Sequence, residues 1–210
     1  ILSQIPMYGQ DARLVMGKDG QPLLVTFTEK ILVTLLTKLS NFIPQAGIWM
    51  NTLRPEWNDA NNALVGYGAS MVTLYYMRRF VSFLIQLYGK QNATYAISQE
   101  VVMFLRNVLA TMVAHLPEDA NQPITFTAHS RRTFTDQMGR AGEQYRNAVY
   151  KGHSGEKVEL DAELFVKFLL MTRDYIDQSI AVNQREDGLF HAYNLVKFDK
   201  QSITITPLYE

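Results

Sequence analysis

The sequence predicts a mainly helical protein, on three observations. Five stretches carry apolar residues at helical spacing. Short polar links separate them, so successive helices can return antiparallel, as in bundles, helical repeats and helical toroids. Strand-like runs occur only near the end of the chain.

Residues 1–25 read as irregular, with turn chemistry at Gly17-Lys18-Asp19-Gly20-Gln21-Pro22. Thr26-Phe27-Thr28-Glu29 resembles a capping box, and Ile31, Leu32, Leu35, Leu36, Leu39 and Phe42 form one helical face behind it. Pro44 and Gly47 close that helix, and residues 48–53 lead into a polar loop. A long helix is predicted over 62–88, apolar almost all round until Arg78 and stopping at Gly89. The next begins at Asn92 or Ser98 and turns Val101, Val102, Leu105, Val108, Leu109, Met112 and Val113 inward, with Pro117 beyond its end. A more polar helix follows over 131–150, opened by His129-Ser130-Arg131-Arg132, and Gly152 and Gly155 break it. In that opening Ser130 serves as an N-cap, although two arginines there could also hold a phosphate or carboxylate. A fifth helix spans about 160–182, with Leu164, Phe165, Phe168, Leu169, Met171, Tyr175 and Ile176 on its apolar face, and Asp187-Gly188 ends that region. Two strands, 189–196 and 202–208, then form a hairpin. The expected organisation is a helical domain over 1–188 and a C-terminal strand pair over 189–210.

The bulk composition narrows the function classes. Of 210 residues, 47% are hydrophobic and 19% charged, a balance able to bury a core. Formal net charge is zero, which gives no support to a nucleic-acid partner. The absence of cysteine excludes disulfides and thiolate metal sites, and suits cytoplasm and periplasm alike. The four histidines lack metal-ligand spacing, so no metal is expected. Between Asp59 and Arg78 no residue is charged, close to a bilayer length, but Asn61, Asn62, Gly66, Gly68, Ser70 and Thr73 interrupt the run. A buried helix, not a membrane span, is expected there. The chain opens at Ile1 and closes just after a strand-like run, so it is expected to be part of a longer polypeptide.

The richest chemistry lies in Arg54-Pro55-Glu56-Trp57-Asn58-Asp59-Ala60-Asn61-Asn62. Two carboxylates, an indole and three carboxamides share nine residues. An indole can stack on the apolar face of a sugar ring. Carboxamides read hydroxyls as donors and acceptors, and a carboxyl group can exchange a proton with a glycosidic oxygen. The same residues would also make an elaborate helix cap through Asn58 or Asp59.

Glu56-Trp57-Asn58-Asp59, followed by a glycine-containing run into a helix, resembles the Asp-Trp-Asn-Asp motif of inverting glycoside phosphorylases of the cellobiose phosphorylase type. Like glucoamylases, those enzymes have an (α/α)6 barrel. Glu56 stands where the family carries Asp, and the likeness covers about thirty residues. It implies an (α/α) toroid, here an incomplete barrel with a short C-terminal β-hairpin, because five helices cannot close six pairs. It also implies that Asp59 is the general acid, with Trp57 and Asn58 in the sugar-binding wall.

On this reading the protein cleaves a glycosidic bond with inversion, by hydrolysis or phosphorolysis. Asp59 donates the proton. Trp57 stacks on the sugar, Arg54, Asn58 and Asn61 bind hydroxyls, and Glu56 tunes the acid or binds sugar. Burial beside Trp57 and Glu56 would raise the Asp59 pKa, whereas Arg54 and a helix N-terminus would lower it. Hydrolysis needs a second carboxylate across a cleft. Glu186 and Asp187, in a run that also supplies His191 as a binding residue, are the candidates. The expected partner is an oligosaccharide or glycoside, together with the rest of the same polypeptide, and no cofactor is implied beyond phosphate as a co-substrate. The rival class is a non-catalytic helical scaffold or interaction domain, in which the loop is a cap and the aromatics fill a core.

Overall fold

The computed structural model describes residues 6, 15–17, 20–52, 59–119 and 121–209. Helix α1 (Phe27–Leu39) starts at Thr26, whose hydroxyl accepts the Glu29 N–H at 3.2 Å. Strands β1 (Phe42–Ile43) and β2 (Gly47–Trp49) follow, then a short helix α2 (Asp59–Leu64) and strand β3 (Gly68–Ser70). Helix α3 (Met71–Tyr88), strand β4 (Thr94–Ser98), helix α4 (Gln99–Ala114) and helix α5 (Ala128–Lys151) come next. Strand β5 (Lys157–Asp161), helix α6 (Ala162–Ala181) and strands β6 (Tyr193–Phe198) and β7 (Ile203–Pro207) complete the order. Among the described residues, no helix is long and apolar enough to cross a membrane.

The five long helices form a layer in which α3 lies along α6 and α4 along α5. Their predicted apolar faces are the buried ones, at Leu32, Leu35 and Leu36 in α1, Val101, Leu105, Val108 and Met112 in α4, and Phe165, Phe168, Leu169 and Ile176 in α6. Leu164 and Val113 instead face outward. Phe134 sits at the centre, edge-on to Phe42, His115 and Phe126 and stacked on Tyr175 at 5.5 Å. Such ring packing adds specific geometry to simple burial. The buried Tyr175 hydroxyl donates to the Met112 carbonyl at 2.6 Å.

The toroid expectation is overturned. The described residues are 52% helix and 18% strand, with a curled five-stranded antiparallel sheet and a second sheet, and no (α/α) toroid is seen among them. The larger sheet runs β1-β2-β3-β6-β7, and β4 pairs with β5 in the smaller. The single helix expected over 62–88 is two helices with β3 between them. Gly66 takes φ +89 and turns the chain out of α2. Gly68 then lies so close to Leu64 that a Cβ would come within 2.5 Å of it. That close return lets β3 enter the sheet, with Ala69 opposite Trp49 on one side and Asn194 on the other.

The C-terminal strands pair in the register Phe198↔Ile203 to Asn194↔Pro207, and β6 also pairs with β3. The Asp199 N–H bonds Ser202 O and the Leu208 N–H bonds Tyr193 O. Alternation along the ladder therefore turns the backbone of Ile203, Ile205 and Pro207 to the outer edge. Arg131 occupies the Ile203 carbonyl at 2.8 Å, and Pro207 has no N–H to offer. Both devices blunt an edge against strand addition.

A buried turn joins sheet to helices. Arg131, 8% exposed, donates from Nε to Pro44 O at 3.0 Å, from Nη1 to Ile203 O, and from Nη2 to the Gln45 side-chain oxygen and to Phe126 O at 3.5 Å. Burial depresses its pKa. Gln45 itself has φ +68, and its N–H is held by the Ser179 hydroxyl at 3.0 Å. Asn183 donates to Gln45 O, and Asn194 to Ala46 O and to the Asn183 side-chain oxygen, each at 2.8 Å. Gly47 at φ +117 passes so near β3 that a Cβ would meet Ser70 O at 2.7 Å.

The smaller sheet is latched by two carboxylates. Glu29, 2% exposed, accepts from Ser98 N–H at 3.1 Å and from Lys157 Nζ at 3.0 Å. Glu100 accepts from Ser154 N–H at 2.7 Å and lies 3.2 Å from His153 Nε2. Burial pushes the Glu100 carboxyl up, but the Ser154 bonds and His153 outweigh it, and the net shift is downward.

Two measurements check this account. Arg131→Met would strand three backbone carbonyls inside the protein. It should cost about 3 kcal/mol or more in urea unfolding, because each orphaned buried acceptor costs roughly 1–3 kcal/mol. Glu100 should contribute stability that is fully present above the ordinary carboxylate pKa of about 4.3. That stability is lost as pH falls through its depressed folded value. Glu100→Gln should therefore be less stable at neutral pH and show a shallower acid limb than the parent protein.

Candidate functional site

Where the chain leaves β2 toward the Arg54–Asn62 segment, it borders a cavity of about 120 Å³. Asn41 and Lys38 reach it from the end of α1, Trp49, Asn51 and Thr52 from β2 and the residues after it, and Asn61 from α2. Ser70 and Thr73 at the start of α3, and Tyr193 at the start of β6, close the opposite side. Lys38 is the one charged side chain among the described residues lining it.

Local structure fixes these groups. Thr73 donates both its N–H and its hydroxyl to Ser70 Oγ at 3.0 Å, capping α3. Asn41 donates to Thr37 O at 3.0 Å and accepts from Asn51 Nδ2 at 2.6 Å. Trp49 donates its backbone N–H to Asn41 O at 2.8 Å and its ring Nε1–H to Gly66 O at 3.0 Å. Phe198 packs on the indole at 5.1 Å, tilted by 51°. The site is therefore a set of positioned amides and hydroxyls, while the indole packs on the apolar cluster of Ile43, Ala69, Val196 and Ile203.

Of the sequence-predicted site residues, Asn61 alone is among the described residues lining this cavity; Glu186, Asp187 and His191 do not line it. Arg54, Glu56, Trp57 and Asn58 lie outside the described residues. Asp59 opens α2 by its backbone, and Asn61 lines the cavity. The run containing Glu186, Asp187 and His191 docks on the first turns of α3. Ala192 O accepts the Met71 and Val72 N–H groups at 2.9 and 3.3 Å, and His191 O accepts the Tyr75 hydroxyl at 2.8 Å. That docking brings Tyr193 opposite Asn61. His191 is buried, edge-on to Tyr209 at 5.2 Å, and its N–H bonds Asn183 O. Asp187 is held within its own turn, 2.8 Å from Arg185 Nη2 and accepting the Leu189 N–H at 3.0 Å. Glu186 is exposed on the same turn.

The arginine pair at the start of α5 has structural partners. Thr127, not Ser130, is the N-cap, and the two side chains form a reciprocal capping box. Arg131 is spent on carbonyls, and Arg132 bonds Asp136 at 2.8 Å and Asp199 O at 2.6 Å. Larger hollows occur elsewhere. One of about 630 Å³ between the end of α4 and α6 is lined by Leu116, Ile124, Leu170 and Met171. One of about 310 Å³ between α4 and α5 is bordered by Glu100 and Tyr145. The first is largely apolar, and the carboxylate of the second is committed to the Ser154 latch.

Sequence reasoning missed Trp49, Asn41, Asn51, Thr73 and Tyr193. The available signal was Trp49-Met50-Asn51 immediately ahead of the motif, which reads as a lead-in until β2 orients it.

Burial raises the Tyr75 hydroxyl to about 12, so it remains a donor to His191 O well above neutral pH. A phenol raised in the folded state contributes stability below its unfolded pKa of about 10, lost as pH rises toward the folded value. Tyr75→Phe should cost about 1 kcal/mol and lessen the alkaline loss of stability, read by urea unfolding across that window. The chain matches no protein-family model and no curated protein sequence.

Proposed function

We propose that this is a carbohydrate-active domain that cleaves a glycosidic bond with inversion, as the likeness to inverting glycoside phosphorylases implies. The observation that carries the reading is the cavity itself. Asn61 from the motif and Tyr193 from the second polar run meet there with further carboxamides and hydroxyls. Amides and hydroxyls both donate and accept, which suits a ligand made of hydroxyl groups.

In this mechanism Asp59 protonates the leaving oxygen. The resemblance assigns Trp57 and Asn58 to sugar binding, and Arg54 and Glu56 are the further binding residues on this reading. Hydrolysis would need a second carboxylate to activate water, for which Glu186 is the candidate beside the engaged Asp187, whereas phosphorolysis needs none. The second reading is a non-catalytic helical scaffold. What favours it is that the Thr127–Ser130 and Asp187 clusters are both accounted for by caps and turns.

Asp59→Asn separates the two. An amide keeps the size of the side chain and can still cap, so stability should hold within about 1 kcal/mol. It cannot donate a proton to a leaving alkoxide, so turnover of an unactivated oligosaccharide, with and without phosphate, should fall roughly 10²–10⁴-fold. Substrates with activated leaving groups should be less affected. Equal activity of parent and variant would remove Asp59 from the mechanism.

A further inference from the structure

The cavity of about 630 Å³ beside α6 contains none of the residues of the glycoside reading. We propose that it binds an amphipathic amine, whose apolar body lies against Leu116, Ile124, Leu170 and Met171 and whose ammonium group meets the Asp174 carboxylate.

The sequence builds the floor of this cavity. Lys167, Leu170, Met171, Asp174 and Gln178 recur at i, i+3, i+4, i+7 and i+11 on α6, so they share one face of the helix. All five line the cavity. The facing wall comes from the stretch after α4, through Leu116, Pro117, Gln122 and Ile124. That wall is anchored rather than loose. Ile124 packs against the main core, and Phe126 lies 6.3 Å from the Tyr175 ring of α6. Small-molecule sites run from roughly 300 to 1,000 Å³ and place a few polar groups among apolar ones, which is the make-up seen here.

The charges decide the head group. Lys167 is already held by Glu163 at 2.6 Å, one turn earlier on α6. An anionic head would have to compete with that carboxylate. Asp174 makes no hydrogen bond or ion pair with the described residues. Asp177, one turn farther on, is taken by Arg78 at 2.7 Å. Arg173 is adjacent in sequence, but neighbouring positions diverge around a helix, and it does not line the cavity. Desolvation raises the Asp174 carboxyl above its ordinary range, against Arg173 and with Asp177. A carboxylate so placed gains from a cation that brings its own apolar body, because the charge pair forms where the ligand excludes water.

Phenylbutylamine, phenylbutanol and phenylbutyrate share one apolar body and differ in head group. Each is titrated at neutral pH into the full chain while the Met171 methyl resonance, assigned through Met171→Leu, is followed by NMR. A saturable shift is expected, with the amine binding roughly tenfold more tightly than the alcohol and the carboxylate binding weakest. Asp174→Asn keeps the size of an exposed side chain. It should bring the amine to the level of the alcohol and leave the alcohol unchanged. Lys167→Gln should leave the order of amine and alcohol as it was. The proposal is overturned by the absence of a saturable shift, by equal affinity for amine and alcohol, or by tightest binding of the carboxylate. An amine preference that survives Asp174→Asn overturns it as well. These readouts involve no turnover, so their failure leaves the Asp59 reading standing, and failure of that reading leaves them in force.

Discussion

Arg131 holds the two halves of the molecule together from inside. Its guanidinium spans the turn after β1, the first residue of β7 and the segment leading into α5, and every acceptor it meets is a carbonyl oxygen. Five N–H donors in a fixed fork can satisfy several scattered acceptors at once, which a lysine could not do with the same geometry. The other side of that turn is bonded by Ser179, Asn183 and Asn194. Asn194 is fully buried, and the left-handed Gln45 is held from both directions. Without this hub, strands of two and three residues would have little reason to persist, because so short a ladder is marginal in water.

The cavity follows from the same arrangement. Once the hub seats β2 on the helices, Trp49 is carried to one side of the first turn of α3. The pairing of β3 with β6 carries Tyr193 to the other. Ser70 closes β3 and caps α3 in a single residue, so strand end and helix start are rigidly coupled. The Tyr75 and Ala192 bonds then tie the end of the 185–192 segment to that helix start. Each wall of the site is thus set by backbone hydrogen bonding rather than by loop packing alone.

The helical faces were legible because their period is long enough to repeat. Leu32, Leu35, Leu36 and Leu39 announce one, and Phe165, Phe168, Leu169 and Ile176 another. The strands were not, because β1 has two residues and β2 and β3 three each, too few to display alternation. Gly-Ala-Ser in β3 carries no strand preference, and its position follows from partners far along the chain. Residues 92–98 illustrate the same point. Asn92 and Ser98 both read as helix starts; Ser98 is the one that caps α4, while the pairing of Tyr95 with Leu160 makes the residues from Thr94 strand. At the site, Asn61 was legible from its motif, whereas Tyr193 gains meaning only when the sheet brings it beside Ser70.

That dependence on distant partners sets an order of events. Asn194 bonds Ala46 across 148 residues, and Asn183 bonds Gln45 across 138. Closing such loops is slow compared with forming a helix. During synthesis α1 and α4 can pack on one another while the ribosome is still adding α6, the helix on which α3 lies. The nascent chain would then carry an unfinished sheet whose β3 edge waits for β6. A truncation before Tyr193 would leave a helical body with an open strand edge and a half-built cavity. A cell would meet such a product as a substrate for chaperones and proteases rather than as a weakened form of the protein.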